Sequence, residues 1–162
     1  MVRVPTVNSP EARAALAAMR PDVVVVNGTR VIDPETLASV PVPILNMHAG
    51  ITPLYRGVHG GYWALAEGRN DLVGTTVHLV SPGIDTGRVV GQATFEITPE
   101  DDFTTYPFLH VAHGLPLLLD AIADASAGRL SSRKNPLGLS SMLRSHPTAW
   151  SYLKGRARLG VR

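Results

Sequence analysis

Val23-Val24-Val25-Val26 is a run of four β-branched residues with no polar residue among them. A strand wetted on one face alternates apolar and polar residues. An unbroken run suits a strand covered on both faces, as in a parallel sheet. Asn27-Gly28 then turns the chain. Upstream, Ser9 can cap a helix, Pro10 fits its first position, and Glu11 suits the positive end of its dipole. Ala12, Ala15, Leu16 and Met19 share one face of that helix, and Pro21 marks its end. Downstream, Asp33-Pro34-Glu35 reads as a second cap, opening a short helix to about Ser39.

The pattern continues outward. Pro43-Ile44-Leu45-Asn46 reads as a strand, and a Gly/Pro-punctuated loop follows from Ala49 to Gly61. Tyr62 to Glu67 reads as helix closed by Gly68, Thr75 to Val80 as an alternating strand, Ser81 to Gly87 as a loop and Arg88 to Ile97 as a strand. A long helix is predicted over roughly Thr104 to Ser126, with Phe108, Val111, Leu115, Leu118, Leu119 and Ile122 on its apolar face. Pro116 should kink it or split it. Helices alternating with strands argue for a layered α/β domain, whose site belongs in loops at the carboxyl ends of strands.

The 162 residues suit one domain, and a chain of this size buries roughly 70% of its unfolded surface. There is no cysteine, which excludes disulfides, thiolate chemistry and Cys-ligated metals. No signal-peptide pattern opens the chain, and no apolar stretch reaches the ~20 residues that span a bilayer. A soluble cytoplasmic protein with no membrane partner is expected. Charge is lopsided. Residues 1–128 hold seven Lys/Arg against all 13 Asp/Glu, whereas residues 129–162 hold eight Lys/Arg and no acid. The expected division is a body over 1–128 and a basic C-terminal extension over 129–162.

Two loops carry polar side chains where a site belongs. Asn46 and His48 lie two apart at a strand end, so their side chains point the same way. An amide donor beside an imidazole suits a carbonyl that becomes an oxyanion. Asp85, in Pro82-Gly83-Ile84-Asp85-Thr86-Gly87, can orient a histidine or accept a proton. No nucleophilic Ser or Cys joins them, which favours direct attack by a bound nucleophile. From spacing alone a second reading stands beside this one: Asn46 capping a turn, His48 a satisfied loop histidine, Asp85 an Asx-turn residue. His48, His59, His78 and Asp85 are potential metal ligands, and His110 and His113 lie three apart on a predicted helix. No pair has the i, i+4 ligand spacing, and no metal site is expected.

Asn46-Met47-His48, Pro53-Leu54-Tyr55-Arg56-Gly57, Gly74-Thr75-Thr76-Val77-His78-Leu79-Val80, Asp85-Thr86-Gly87 and Gln92 occur in an order that resembles the folate-dependent formyltransferase family. That family includes glycinamide ribonucleotide, methionyl-tRNA and sugar-amine formyltransferases and formyltetrahydrofolate hydrolase. The resemblance spans roughly Pro21 to Arg129. It departs at Ala49-Gly50-Ile51-Thr52, where many relatives have a Pro-Ser-Leu-Leu-like stretch.

The resemblance implies a three-layer, Rossmann-like α/β sheet with flanking helices, shortened at its N-terminus by the strand–Gly-loop–helix unit that usually binds the acceptor's phosphate. It implies 10-formyltetrahydrofolate as formyl donor and a small amine as acceptor. Asn46 and His48 would stabilise the oxyanion, with His48 favourable as imidazolium. Asp85 would position His48 or a water and help remove the amine proton, and His78 would support Asp85. The pterin would lie between Thr29-Arg30-Val31-Ile32 and Val80-Ser81-Pro82-Gly83-Ile84-Asp85. A free sheet edge invites a second chain, so a homo-oligomer is expected.

The basic tail mixes its charges with Trp150 and Tyr152, and Pro136, Gly138, Pro147, Gly155 and Gly160 interrupt it. Packing on the acidic body is favoured over nucleic-acid binding. The rival functions are a hydrolase releasing formate from the same donor, and a folate-binding or oligomerisation subunit without turnover.

Overall fold

The computed structural model describes residues 1–135 and 142–161. In chain order its elements are α1 (Pro10–Met19), β1 (Val24–Val26), α2 (Pro34–Ala38), β2 (Ile44–His48), β3 (Tyr55–Gly57), α3 (Gly60–Ala66), a 3-10 turn (Asn70–Leu72), β4 (Gly74–Leu79), β5 (Val89–Thr94), α4 (Tyr106–Ser126), β6 (Met142–Arg144) and α5 (Ala149–Leu159). Both early caps form as the sequence predicts. Ser9 Oγ accepts from the Ala12 N–H at 3.1 Å, and Asp33 Oδ1 accepts from the Thr36 N–H at 2.6 Å. Arg20, in the left-handed region, closes α1 ahead of Pro21.

The central sheet runs β1-β2-β4-β5. β1 and β2 are parallel, but β4 is antiparallel to both β2 and β5, so the sheet is mixed. The valine run does not lie covered on both faces. β1 is the edge strand, with β2 as its neighbour, and Val25 is 41% exposed. The doubly covered strand is β4, buried from Gly74 through His78. It sits between two neighbours, and α4 packs on the sheet there.

α4 is one continuous helix, so of the two outcomes expected of Pro116 it is not split in two. Its predicted apolar face is largely wrong as well. Tyr106, His110, Gly114, Leu118 and Ala121 face inward, while Phe108, Val111, Leu115 and Leu119 are exposed. The helix is apolar all round, so periodicity could not choose the buried side. Close approach chooses it: a Cβ on Gly114 would lie 2.5 Å from Met47 Sδ and 2.9 Å from Thr75 Oγ1. By length and composition α4 could cross a membrane, more apolar than the sequence reading allowed. Here it packs along β2, β4 and β5.

Two apolar clusters hold the layers. Leu45, Val77, Leu118 and Ala121 join sheet to α4. Tyr55, Tyr62, Leu65, Phe95 and Tyr106 form the other, with Val161 from the C-terminal segment buried among them.

The loop from Ala49 to Gly61 is not wholly irregular. It contains β3, which pairs in parallel with β6 of the basic tail, and α3 begins at Gly60 rather than Tyr62. A three-residue strand is too short for a periodic signal. Gly155 does not interrupt α5: its bare Cα lies against Tyr62, whose Oη would be 3.3 Å from a Cβ there. Gly160, with φ +66, does end the helix. Pro136 and Gly138 lie outside the described residues.

Candidate active site

β2 ends in a cluster of polar side chains. Asn46 and His48 leave the same face of the strand, and β4 lies beside them with His78 directly across from Asn46. Asn46 Nδ2 lies 3.1 Å from His78 Nε2. Asp85 returns to both histidines, with Oδ2 3.4 Å from His48 Nδ1 and Oδ1 3.4 Å from His78 Nε2. A left-handed backbone at Asp85, φ +52, accompanies this return. Among non-glycine residues, Asn and Asp tolerate that conformation best.

Backbone groups settle the proton positions. His78 Nδ1 is 2.9 Å from the Leu79 carbonyl, so Nδ1 carries hydrogen and donates. The same holds for His48 Nε2, 2.6 Å from the Tyr55 carbonyl. His48 therefore turns Nδ1 toward Asp85, at a distance longer than a charge-assisted hydrogen bond. Burial holds the His48 pKa below its ordinary value, opposed by the Asp85 carboxylate and the Tyr55 carbonyl. For Asp85, burial pushes the pKa up, but His78, the nearby His48 and the Gly57 N–H outweigh it and hold it low. The Gly57 N–H donates to Asp85 Oδ2 at 2.8 Å.

The loop after His48 is fixed by the two threonines of β4. Thr75 Oγ1 donates to the His48 carbonyl at 2.9 Å, and Thr76 Oγ1 donates to the Gly50 carbonyl at 2.7 Å. Gln92 Nε2 donates to the Thr52 carbonyl at 2.9 Å. Two stretches of the quoted motif thus brace the loop between two others.

Asn46, His48, His78 and Asp85 share a pocket of about 780 Å³. Of the residues predicted to hold the pterin, Thr29, Arg30, Val31, Ile32, Val80, Ser81, Gly83 and Ile84 line it; Pro82 does not. The volume lies in the range of small-molecule sites, and the apolar Val26, Val31, Ile32, Val80 and Ile84 suit the faces of a flat ring. The sequence reading gave no role in the pocket to Val58, His59 or Leu143 to His146, which line it too. Gly57 stood inside a quoted motif, but its contribution is a backbone N–H, which no side-chain pattern reveals. Among the described residues no group of three or more His, Asp or Glu is arranged to hold a metal ion.

The family model described as formyl transferase matches residues 3–109, about two thirds of the chain. The chain belongs to the formyl transferase family. The methionyl-tRNA formyltransferase of Koribacter versatilis is 33% identical over 127 residues, which is 77% of this chain and 40% of that protein. The chain thus spans about two fifths of the length of such relatives. Among solved structures, glycinamide ribonucleotide transformylase 1 of Symbiobacterium toebii is 26% identical, with a TM-score of 0.68 over 76% of this chain and 61% of that one. The formyltransferase PseJ of Anoxybacillus kamchatkensis, solved with tetrahydrofolate and a UDP-linked formamido sugar, shares the fold at 21% identity. Its TM-score is 0.63 over 74% of this chain and 62% of that one. The expected α/β class, a central sheet with flanking helices, is the fold of these proteins.

Proposed function

We propose that this formyl transferase family chain moves a formyl group from 10-formyltetrahydrofolate to an amine, with Asn46, His48 and Asp85 at the reacting centre. One observation carries the reading: these three side chains converge in the pocket that Thr29 to Ile32 and Val80 to Ile84 also line. The bound folate supplies the carbonyl carbon that the amine nitrogen attacks. An Asn46 N–H and the His48 imidazole would then face the negative charge growing on the carbonyl oxygen. With Nε2 held on the Tyr55 carbonyl, the His48 nitrogen that meets this charge, carrying a proton, is Nδ1, the one turned toward Asp85. Asp85, held ionised, receives the proton the amine loses, directly or through a water, and returns it to N10 of the folate as the carbon–N10 bond breaks and tetrahydrofolate leaves. His78 keeps Asn46 and Asp85 in register.

A small amine is the proposed acceptor. The relatives named above act on different carriers, a tRNA and a ribonucleotide. We treat residues 1–128 as the catalytic body and 129–162 as the segment that completes its pocket. Association with a second copy is supported by the exposed apolar row Phe108, Val111, Leu115 and Leu119 on α4 and by the free edge of β1. The cytoplasm is the proposed location, since α4, the one long apolar helix among the described residues, is engaged with the sheet.

Release of tetrahydrofolate with and without added amines tests the reaction. Amine-dependent release identifies a transferase, and amine-independent release a hydrolase. Asn46→Ala and His48→Ala should each lower kcat by about 10²–10³-fold, the usual effect of removing one oxyanion donor. A His48→Ala protein with wild-type kcat would contradict the assignment.

A further inference from the structure

β3 touches the reacting cluster with each of its three residues. The Tyr55 carbonyl accepts from His48 Nε2 at 2.6 Å. Arg56 Nη1 donates to the Ile84 carbonyl at 3.2 Å, one residue before Asp85. The Gly57 N–H donates to Asp85 at 2.8 Å. The strand that orients both His48 and Asp85 is three residues long and pairs, among the described residues, with β6 alone. A strand of that length holds no fixed position by itself. Tyr55 is anchored in the core of the body, and β6 of the basic tail pairs along the whole strand, Arg56 and Gly57 included.

β6 is fastened in turn, and Arg144 is where the fastenings meet. The Val58 N–H donates to the Arg144 carbonyl at 3.1 Å. The Arg144 guanidinium pairs with Glu67 and lies over the Trp63 ring, 5.1 Å from its centroid. The other Glu67 oxygen accepts from Tyr55 Oη at 3.0 Å, so one carboxylate ties Arg144 to β3. Trp63 Nε1 donates to the Ser145 carbonyl at 3.0 Å, and the rings of His59 and His146 meet at 2.9 Å. Gly57, with φ +91, has no Cβ that could collide with the Arg144 carbonyl.

We propose that Arg144 is a positioning residue for formyl transfer: through Glu67 and the β3–β6 ladder it fixes the Tyr55 carbonyl and the Gly57 N–H, and these fix His48 and Asp85. The kinetic side of this inference rests on the function proposed above. Its geometric side does not, because it concerns the resting protein.

The test is nuclear magnetic resonance of the histidine rings, followed through a pH titration in wild type and Arg144→Ala. His48 is faced by Asp85 from the loop after β4, by His78 on β4, by the Tyr55 carbonyl on β3 and, from α4, by His110. Loss of Arg144 frees β3, Asp85 drifts, and the carboxylate that raises the His48 pKa is lost. His48 should then titrate lower than in wild type. A misplacement of about 1 Å can cost up to about 10²-fold in rate. The expected kcat loss is therefore about tenfold or more, with KM for 10-formyltetrahydrofolate within about twofold. Arg144→Lys keeps a charge for Glu67 but loses the planar stacking group, and should fall between the two. Trp150→Ala, in the tail but 77% exposed, should leave the His48 titration unchanged.

A folded Arg144→Ala protein with lowered melting temperature but unaltered His48 titration and kcat would overturn the proposal, leaving a purely structural ion pair. Should Arg144→Ala not fold, an unaltered His48 titration in Arg144→Lys does the same. If the wild type shows no formyl transfer, the proposed function fails, while the ring titrations still decide this inference.

Discussion

Gly50 lies in the tightest part of the site. A Cβ there would sit 2.6 Å from the Tyr55 carbonyl oxygen, 2.7 Å from His48 Nε2 and 3.1 Å from the Gly60 Cα. Backbone cannot retreat as a flexible side chain can, so the His48–Tyr55 hydrogen bond must open. Gly50→Ala should therefore lower kcat by roughly 10–10²-fold, as displacement of a catalytic group does. Steady-state kinetics beside a far-ultraviolet dichroism spectrum checks this; unchanged kcat in a folded variant would refute it. At this scale the sequence was informative about side chains and silent about backbone. Asn46, His48, His78 and Asp85 stood in ordered motifs and do meet. The Tyr55 carbonyl and the Gly57 N–H, which orient two of them, belong to no residue type.

Among the elements, α4 shows how a helix finds its side. Gly114 lets it approach β2 and β4, and Met47 Sδ and Thr75 Oγ1 occupy the space a Cβ would need. Thr75 is fully buried and braces the His48 carbonyl. Gly114→Ala should therefore destabilise the fold by about 1–3 kcal/mol, the usual cost of overpacking a core. Any gain in helix propensity, about 1 kcal/mol, acts against this loss. Urea unfolding gives the number, and a stabilised variant would contradict the packing described. Most elements were legible because caps and turns announce themselves: Ser9, Asp33 and the strand of Gly74 to Leu79 are cases. The inward face of α4 was not, because His110 and Gly114 share it with Tyr106, Leu118 and Ala121 while Phe108, Val111, Leu115 and Leu119 stay outside. β6 escaped because its partner β3 is distant in sequence and both are three residues long.

In the whole molecule, buried imidazoles set the response to acid. His110 is buried on α4 with its ring edge-on to Phe95, and Nδ1 has no hydrogen-bond partner. Burial, with the neighbouring His48, lowers its pKa to about 4. A histidine whose folded pKa lies below its unfolded value of about 6.5 binds its proton more readily when unfolded. Its contribution to stability is thus complete above about pH 6.5 and declines as pH falls toward 4. For His110 the loss is about 3 kcal/mol, and His48 acts in the same direction. Urea midpoints at pH 7 and 4.5 should differ in wild type and differ less in His110→Phe; equal differences would show that His110 is not buried neutral. The charge asymmetry of the chain was legible as a tail that packs on the body, and Arg144–Glu67 and Arg129–Asp124 are ion pairs from that tail. Its entry into the pocket through Leu143 to His146 was not, since it depends on a long-range strand pair. Calorimetric titration with 10-formyltetrahydrofolate or a stable folate analogue decides whether the pocket around Asp85 holds folate. Saturable one-to-one binding that weakens in Asp85→Ala is the predicted result; a folded wild-type protein that binds no folate would contradict it.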